Sequence, residues 1–446
     1  MARELKSSGI DWIGTIPSNW TVVPLKVLFS FGKGLSITKA DLVEEGCAVI
    51  SYGQIHSKKN SGTSVTDELI RYIPSKLAYP QSRVNKGNFI FADTSEDLDG
   101  CGNCVYIDGD DDIYAGYHTI ILRQKNQISD NRYFAYLFKT DCWRKQIRTE
   151  VNGVKLFSIS QNIIRRTSLI VPPFPEQQAI SDFLDGKCAE IDGLLADLEA
   201  EVKTLSEYKK SIISEVTTQG LNQNVKKKQS GIDWVGNIPA HWQVVPFRSY
   251  VVERAEKNFG GRNKNLLALS FALGVTRYAD KKYNMDRVKE DFSGYQIVHE
   301  KDLVLSPNDI IKGSIFVSEY KGCISPMYRV FSNYDPETYN LYYLSYHLRT
   351  KESGRKFFYI ARGLIGEILD NGKYVTRRMS VSQQDLLKFK VLLPPIEEQN
   401  EIVRYLDEKC ASIEQSIADK QTQIETLKSY KASLIYEYVT GKKQVI

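Results

Sequence analysis

From Ile191 the apolar residues recur at alternating steps of four and three, through Leu195, Leu198, Val202, Leu205, Lys209, Ile212 and Val216. That spacing holds one stripe on one face of an α-helix and is the seam of a coiled coil. The same register returns at Ile413, Ile417, Lys420, Ile424, Leu427, Lys431, Leu434 and Tyr438. Lys209 and Lys431 occupy equivalent seam positions, where the methylene stem packs, the amine snorkels to water and a polar residue fixes register. Pro172-Pro173 and Pro394-Pro395 stand just before the two patterns, and proline is excluded from helix interiors, so both helices start there. A first helix from about residue 176 to 219 would be about 65 Å long. Outside the helices, short β-branched and aromatic runs at 88–92, 118–122, 303–305 and 315–317 predict strands, and residues 132–147 and 340–360 predict further helices.

The helices belong to a larger repeat. SGIDWIGTIPSNWTVVPLK at 8–26 returns as SGIDWVGNIPAHWQVVPFR at 230–248, with 12 of 19 positions identical at an offset of 222. At the same offset LIVPPFPEQQAISDFLDGKCAEID (169–192) returns as VLLPPIEEQNEIVRYLDEKCASIE (391–414). The interiors 27–168 and 249–390 are equally long but align only in short echoes, such as FAYLFKT at 134–140 against LSYHLRT at 344–350. The unit is a lead-in segment, a variable domain and a helix, used twice. A two-copy chain closes most simply through a pseudo-two-fold axis, which pairs the helices antiparallel within the chain and puts one variable domain at each end of a rod. A parallel pairing between two chains is the alternative. The expected fold is α+β, with mixed α/β domains at 1–170 and 226–390 and helical segments at 171–225 and 391–446.

Charge divides along the same lines. The formal net charge of +5 resolves into +3 for residues 1–170, −6 for 171–219, +3 for 220–229, +7 for 230–390 and −2 for 391–446. Basic domains carried on acidic helices suit a protein that touches a polyanion with the former and proteins with the latter. The 446 residues are enough for two or three domains with their own cores. No apolar run approaches the roughly 20 residues that span a bilayer, and the polar start has no signal-peptide core. Seven cysteines, an odd number spread along the chain, are expected to be reduced, which agrees with a cytoplasmic location.

Catalytic signatures are not evident. Val171-Pro172-Pro173-Phe174 and Leu393-Pro394-Pro395-Ile396 have the outline of an amino-methyltransferase motif but lack its leading Asn or Asp oxygen. Gly32-Lys33-Gly34 lacks the third glycine of a dinucleotide loop, and no phosphate-binding GxxxxGK[ST] run exists, so no cofactor is expected. Cys101 and Cys104 have no second ligand pair to complete a zinc site. Asp309, Glu319 and Lys321 outline a Mg²⁺-dependent nuclease site, which keeps a metal-dependent nuclease acting alone as the alternative function. A coiled-coil scaffold with no nucleic-acid role is a third reading.

The doubled lead-in (Ile16-Pro17 to Lys26, Ile238-Pro239 to Arg248), the doubled helix start (Pro172 to Ile191, Pro394 to Ile413) and the 222-residue period together resemble the specificity subunit of type I restriction-modification enzymes. The resemblance covers nearly the whole chain. It implies a non-catalytic subunit whose two target recognition domains each read one half of a split, asymmetric double-stranded DNA site. It also implies that the helices act as a spacer and dock modification (methyltransferase) subunits, while a restriction (translocase/endonuclease) subunit acts in defence against foreign DNA. Specificity in such a protein comes from Asn, Gln and Arg on base edges, with Lys and Arg on phosphates. The candidate DNA contacts in polar or basic loops are Lys58, Lys59, Asn60, Arg83 and Lys86 in the first domain. In the second they are Arg254, Lys257, Arg262, Asn263, Lys264, Arg277, Lys281, Lys282, Arg377 and Arg378.

Overall fold

The computed structural model describes residues 3–126, 129–153, 155–271, 273–280, 291–363, 367–368, 374–375 and 379–445. The chain forms two compact units, residues 1–198 with 422–446 and residues 199–421. Both boundaries fall inside the long helices Phe174–Gln219 and Ile396–Val439, so each unit takes part of each helix.

In the first unit the lead-in strand Thr21–Pro24 pairs antiparallel with Ser168–Val171, so the domain opens and closes side by side, immediately before the first long helix. Between them lies an antiparallel sheet in the order Cys104–Tyr106, Phe89–Ala92, Thr119–Gln124, Phe29–Lys33. Phe89–Ala92 is buried at every position, as its unbroken apolar run requires. A second sheet follows the order Arg71–Ile73, Cys47–Ile50, Ile113–Ala115, Arg83–Val84, with the central two strands parallel. Helices Asn131–Lys139 and Asp141–Arg148 cover the first sheet with an aromatic layer, in which Phe134 meets Phe29 edge-on at 5.5 Å between ring centres and Trp143 lies 4.4 Å from Phe138. The helix expected over 132–147 is therefore two. Thr140 takes an extended conformation at the break and its Oγ1 accepts the Trp143 N–H, capping the second helix.

The second unit rebuilds the same frame from different residues. Gln243–Pro246 pairs with Lys390–Leu393, and the sheet order Ile315–Val317, Leu303–Leu305, Arg329–Asn333, Val251–Glu253 matches that of the first unit strand for strand. Helices Leu341–Leu348 and Lys351–Ile360 again replace the single helix expected there, with Thr350 capping Ser353 as Thr140 caps Trp143. The interiors that barely align in sequence thus share strand order and helical cover. They part company elsewhere: where the first unit has its second four-stranded sheet, the described residues of this one form the hairpin Leu267–Ser270/Gly274–Arg277 and the pair Gln296–Val298/Gly322–Ile324.

Within each unit the long helices run antiparallel. In the first, Lys431 reaches Asp192 at 2.6 Å and Tyr438 packs on Phe183 with ring centres 4.4 Å apart. In the second, Lys209 pairs with Glu414 and Lys420 with Glu201. The pairing is intramolecular, and Lys209–Glu414 and Asp192–Lys431 are the same pair under the 222-residue offset. The seam Ile191, Leu195, Leu198, Val202, Leu205, Lys209, Ile212 and Val216 is buried or half-buried throughout, while residues 192–194, 196–197 and 199–201 are exposed. Ile413, Ile417, Lys420, Ile424, Leu427, Lys431, Leu434 and Tyr438 follow the same rule. Lys209, Lys420 and Lys431 do more than snorkel, since each amine meets a carboxylate of the opposite helix. Among the described residues no helix is long and apolar enough to cross a membrane.

Candidate nucleic-acid interface

The repeated motifs build a junction between each domain and its helices. The Trp20 indole N–H donates to Glu176 Oε2 at 3.0 Å, and Trp242 donates to Glu398 Oε2 at 2.9 Å. Both indoles are fully buried, so the lone donor of each ring needs this partner. Gln177 donates to the Pro172 carbonyl and accepts the Asp130 N–H, which ties the helix start to the helical hairpin. Gln399 does the same with Pro394 and Asn340. One turn on, the buried Tyr133 hydroxyl donates to the Val439 carbonyl at 2.8 Å, and Tyr343 donates to the Thr217 carbonyl at 3.0 Å. These are the ends of the second and first long helices, where carbonyls have no helical partner.

Beside each junction sits a second repeated group. Tyr136 donates to Asp185 and Tyr346 to Asp407, both at 2.7 Å, and burial together with the adjacent carboxylate raises both phenols. Lys139 lies in the first group and Arg349 in the second. Burial pushes the Lys139 ammonium down to about 8, reinforced by Lys431. Arg349 lies over the Phe316 ring at 4.2 Å. The repetition of these residues was visible in the sequence, but their work as fasteners was not.

The recognition candidates divide by what surrounds them. In the first domain Lys58 is exposed, Lys59 pairs with Glu68, Arg83 with Asp112, and Lys86 with Asp110 at 3.3 Å. All these pairs are solvent-exposed, so each is worth little, and a phosphate can take the cation only in competition with its carboxylate. Asn60 is committed inside the fold: its amide donates to the Ile55 and Cys104 carbonyls at 2.7 and 3.0 Å, and its Oδ1 accepts the Gly62 N–H. Arg123, on the strand Thr119–Gln124 and outside the loops, escaped the sequence reading. Its guanidinium donates to the Gln81 and Arg83 carbonyls at 2.8 Å, and it lines a recess with Pro80, Gln81, Arg83 and Asn85.

In the second domain Arg254 is likewise committed. It binds the buried Asp302 carboxylate through Nε at 2.6 Å and Nη2 at 2.8 Å. Asn263 is held by its own loop, its N–H donating to Asn258 Oδ1 and its Oδ1 accepting the Asn265 N–H. Lys257, Arg262, Lys264 and Arg277 are exposed, and among the described residues none of them has an ion-pair partner. Lys264 stands 5.9 Å over the Phe292 ring and Arg277 5.0 Å over Tyr320. Lys281, Lys282, Arg377 and Arg378 lie outside the described residues.

The nuclease outline does not assemble. Glu319 Oε1 accepts the Tyr342 hydroxyl at 2.7 Å, and Asp309 accepts the Ser306 hydroxyl at 3.1 Å in its own turn. No group of His, Cys, Asp and Glu among the described residues is arranged to hold a metal ion. Cys101 and Cys104 are buried in the core, where desolvation pushes the Cys104 thiol up to about 12.

Comparison with known proteins converges on one family. The sequence matches the family described as type I restriction modification DNA specificity domain over residues 17–204 and 274–426. It is 21% identical over 427 residues to the type I restriction enzyme StySPI specificity subunit of Salmonella potsdam, covering 93% of this chain and 88% of that one. It is 23% identical over 338 residues to the MjaVIII specificity subunit of Methanocaldococcus jannaschii, covering 73% of each. The fold is similar to a chain solved in work on complex assembly and conformational transition of the type I R-M system, with TM-score 0.68 at 15% identity, covering 96% of this chain and 99% of that one. It is also similar to the HsdS subunit from Thermoanaerobacter tengcongensis, with TM-score 0.50 at 16% identity over 96% and 98% of the two chains. With two junctions built alike around two divergent basic domains, and matches across both, the chain belongs to the family of type I restriction-modification DNA specificity subunits.

Proposed function

We propose that the chain gives a type I restriction-modification complex its DNA sequence specificity and performs no chemistry itself. Residues 1–170 and 226–390 act as target recognition domains, each reading one half of an asymmetric bipartite site. The helical segments 171–225 and 391–446 space the domains and dock methyltransferase subunits, and a restriction subunit supplies translocation and cleavage. The complex works in the cytoplasm, where the DNA is. The observation that carries this reading is the contrast inside the repeat: the Trp–Glu, Gln and Tyr fasteners recur residue for residue, while the interiors 27–168 and 249–390, which carry the candidate cations, align only in short echoes. A constant mount with variable faces is what two different half-sites demand.

The test is single-molecule sequencing of modified bases in cells carrying the chain with its methyltransferase partner, against cells lacking only the chain. A split, asymmetric modified motif found only with the chain is the expected result. Identical modification in both strains would overturn the reading.

A further inference from the structure

The second domain carries a β-hairpin that exposes two large apolar side chains, Phe271 and Leu273, next to its turn. Strands Leu267–Ser270 and Gly274–Arg277 pair from Leu267↔Arg277 to Ser270↔Gly274. Its base is anchored, with Leu267 and Val275 buried in the domain core. Gly274 takes a left-handed φ of +69°, and a Cβ there would come within 3.1 Å of the Phe316 ring, so the hairpin lies tight on the domain. Yet next to the turn Phe271 is 65% exposed and Leu273 69% exposed. Nearby in sequence, the loop at 258–263 is stapled by the buried Asn258, whose amide donates to the Asn263 and Phe292 carbonyls, and it presents Phe259 at 77% exposure. Large apolar groups held out on anchored backbone mark a binding surface.

The charges around them say what kind. Arg262, Lys264 and Arg277 flank these groups in the chain, and none has a carboxylate partner within salt-bridge distance among the described residues; the Asp291 carboxyl is lowered chiefly by the Ser293 N–H that it accepts, with Lys264 adding a smaller pull. Lys264 and Arg277 are steadied on Phe292 and Tyr320, and a ring orients a cation without cancelling its charge. Cations close in the chain to exposed apolar side chains, two of them oriented by rings and none paired with a carboxylate among the described residues, fit a partner that is polyanionic outside and offers flat apolar faces within, which is the description of duplex DNA.

Resting on the proposed DNA-reading function, we propose that Phe271 and Leu273 form a wedge that enters a groove of the second half-site and packs against the faces of a base step, while Arg262, Lys264 and Arg277 hold the flanking phosphates. The wedge takes its specificity from how readily a given step opens, and so prefers pyrimidine–purine steps. The first domain has no such hairpin among its described residues, so the two half-sites are read by different means.

The experiment uses the full chain in complex with its methyltransferase partner, on a duplex carrying the modified motif and on a scrambled duplex. Affinities are measured across a salt series for wild type, Phe271→Ser with Leu273→Ser, and Arg262→Ala with Lys264→Ala. The wedge variant should lose about tenfold or more in affinity for the motif at every salt concentration, with an unchanged salt slope, because stacking releases no counterions. The cation variant should flatten the slope. In wild type, 2-aminopurine placed at successive positions of the second half-site should brighten at one step, and the wedge variant should abolish that signal. Wild-type binding that ignores the motif would overturn the DNA-reading function itself. Motif-specific wild-type binding with an unaffected wedge variant would overturn the wedge alone, as would loss of methyltransferase assembly in that variant, since the tip would then face a protein.

Discussion

The two units are one frame carrying two different faces. Each has a lead-in strand paired to its last strand, a four-stranded antiparallel sheet in the same order, a helical pair broken at a capping threonine, and an indole bound to a helix-start glutamate. Beyond that frame, the first unit adds a mixed sheet and the second a hairpin that exposes Phe271 and Leu273 next to its turn. The frame tolerates wholesale replacement of its interior because its joints are made by a few repeated side chains that bond to one another, as Trp20 to Glu176 and Trp242 to Glu398, or to backbone, as Tyr133 to Val439 and Tyr343 to Thr217. A hydrogen bond to backbone survives almost any change in neighbouring side chains.

The frame also shows where the copies were not kept equal. At the position of the buried Leu137 in the first unit, the second has His347, fully buried, stacked between Tyr343 and Trp234, and with no partner for either ring nitrogen among the described residues. Desolvation pushes its imidazole down to about 4, so it is neutral in the fold. The second unit therefore carries a sensitivity to acid that the first lacks at this position.

The shared part of the comparison breaks most severely at the indoles. Trp20→Ala and Trp242→Ala should each destabilise their own unit by about 3–5 kcal/mol, through the cavity and the orphaned glutamate. Calorimetry of the full chain should show the two losses agreeing to about 1 kcal/mol, and a loss in only one of the two variants would break the equivalence. The unshared part is next. A neutral buried histidine adds full stability above pH 6.5, its unfolded value, and loses it as pH falls toward 4. The second unit should thus lose about 3 kcal/mol over that range through His347 alone. His347→Leu, which copies the first unit, should remove that share, as read by hydrogen exchange in Leu341–Leu348 at pH 7.5 and 4.5.

A smaller effect separates the two faces by their charge. Arg262→Ala with Lys264→Ala should lower the salt slope of DNA binding by about 2. The paired cations Arg83 and Lys86 of the first domain should each give less than one unit, because Asp112 and Asp110 already compete for them. The smallest effect is on the helices, where Lys431→Met and Lys209→Met should each shift stability by no more than about 1 kcal/mol, since both amines pair near the surface. A larger loss would mean that register depends on these ions.

Much of this was legible in the sequence because repetition exposes what a fold holds constant. The seam residues stand out from their solvent-facing neighbours, and Glu176, Gln177 and their copies stand out as repeated positions of the helix start, though their bonds to the domain do not show in the sequence. What stayed hidden was local competition for polar groups. The breaks at Thr140 and Thr350 interrupt helical patterns that continue unbroken on either side, because a capping hydroxyl acts on backbone and leaves no mark on apolar periodicity. Asn60, Asn263 and Arg254 read as loop residues free to meet DNA, yet each satisfies donors or acceptors within its own domain. Arg123 was missed for the opposite reason, since it ends an apolar strand and reaches a recess formed by residues some forty positions away.

The central claim is that each domain reads its half-site independently on a common mount. Its most direct test replaces residues 249–390 with the corresponding interior of another specificity subunit, leaving both lead-ins and both long helices intact, and sequences the modified bases in cells carrying the hybrid. The account predicts that one half of the modified motif changes to that of the donor while the other half and the gap between them stay as they were. A hybrid that assembles with its methyltransferase and yet alters both halves together would contradict it.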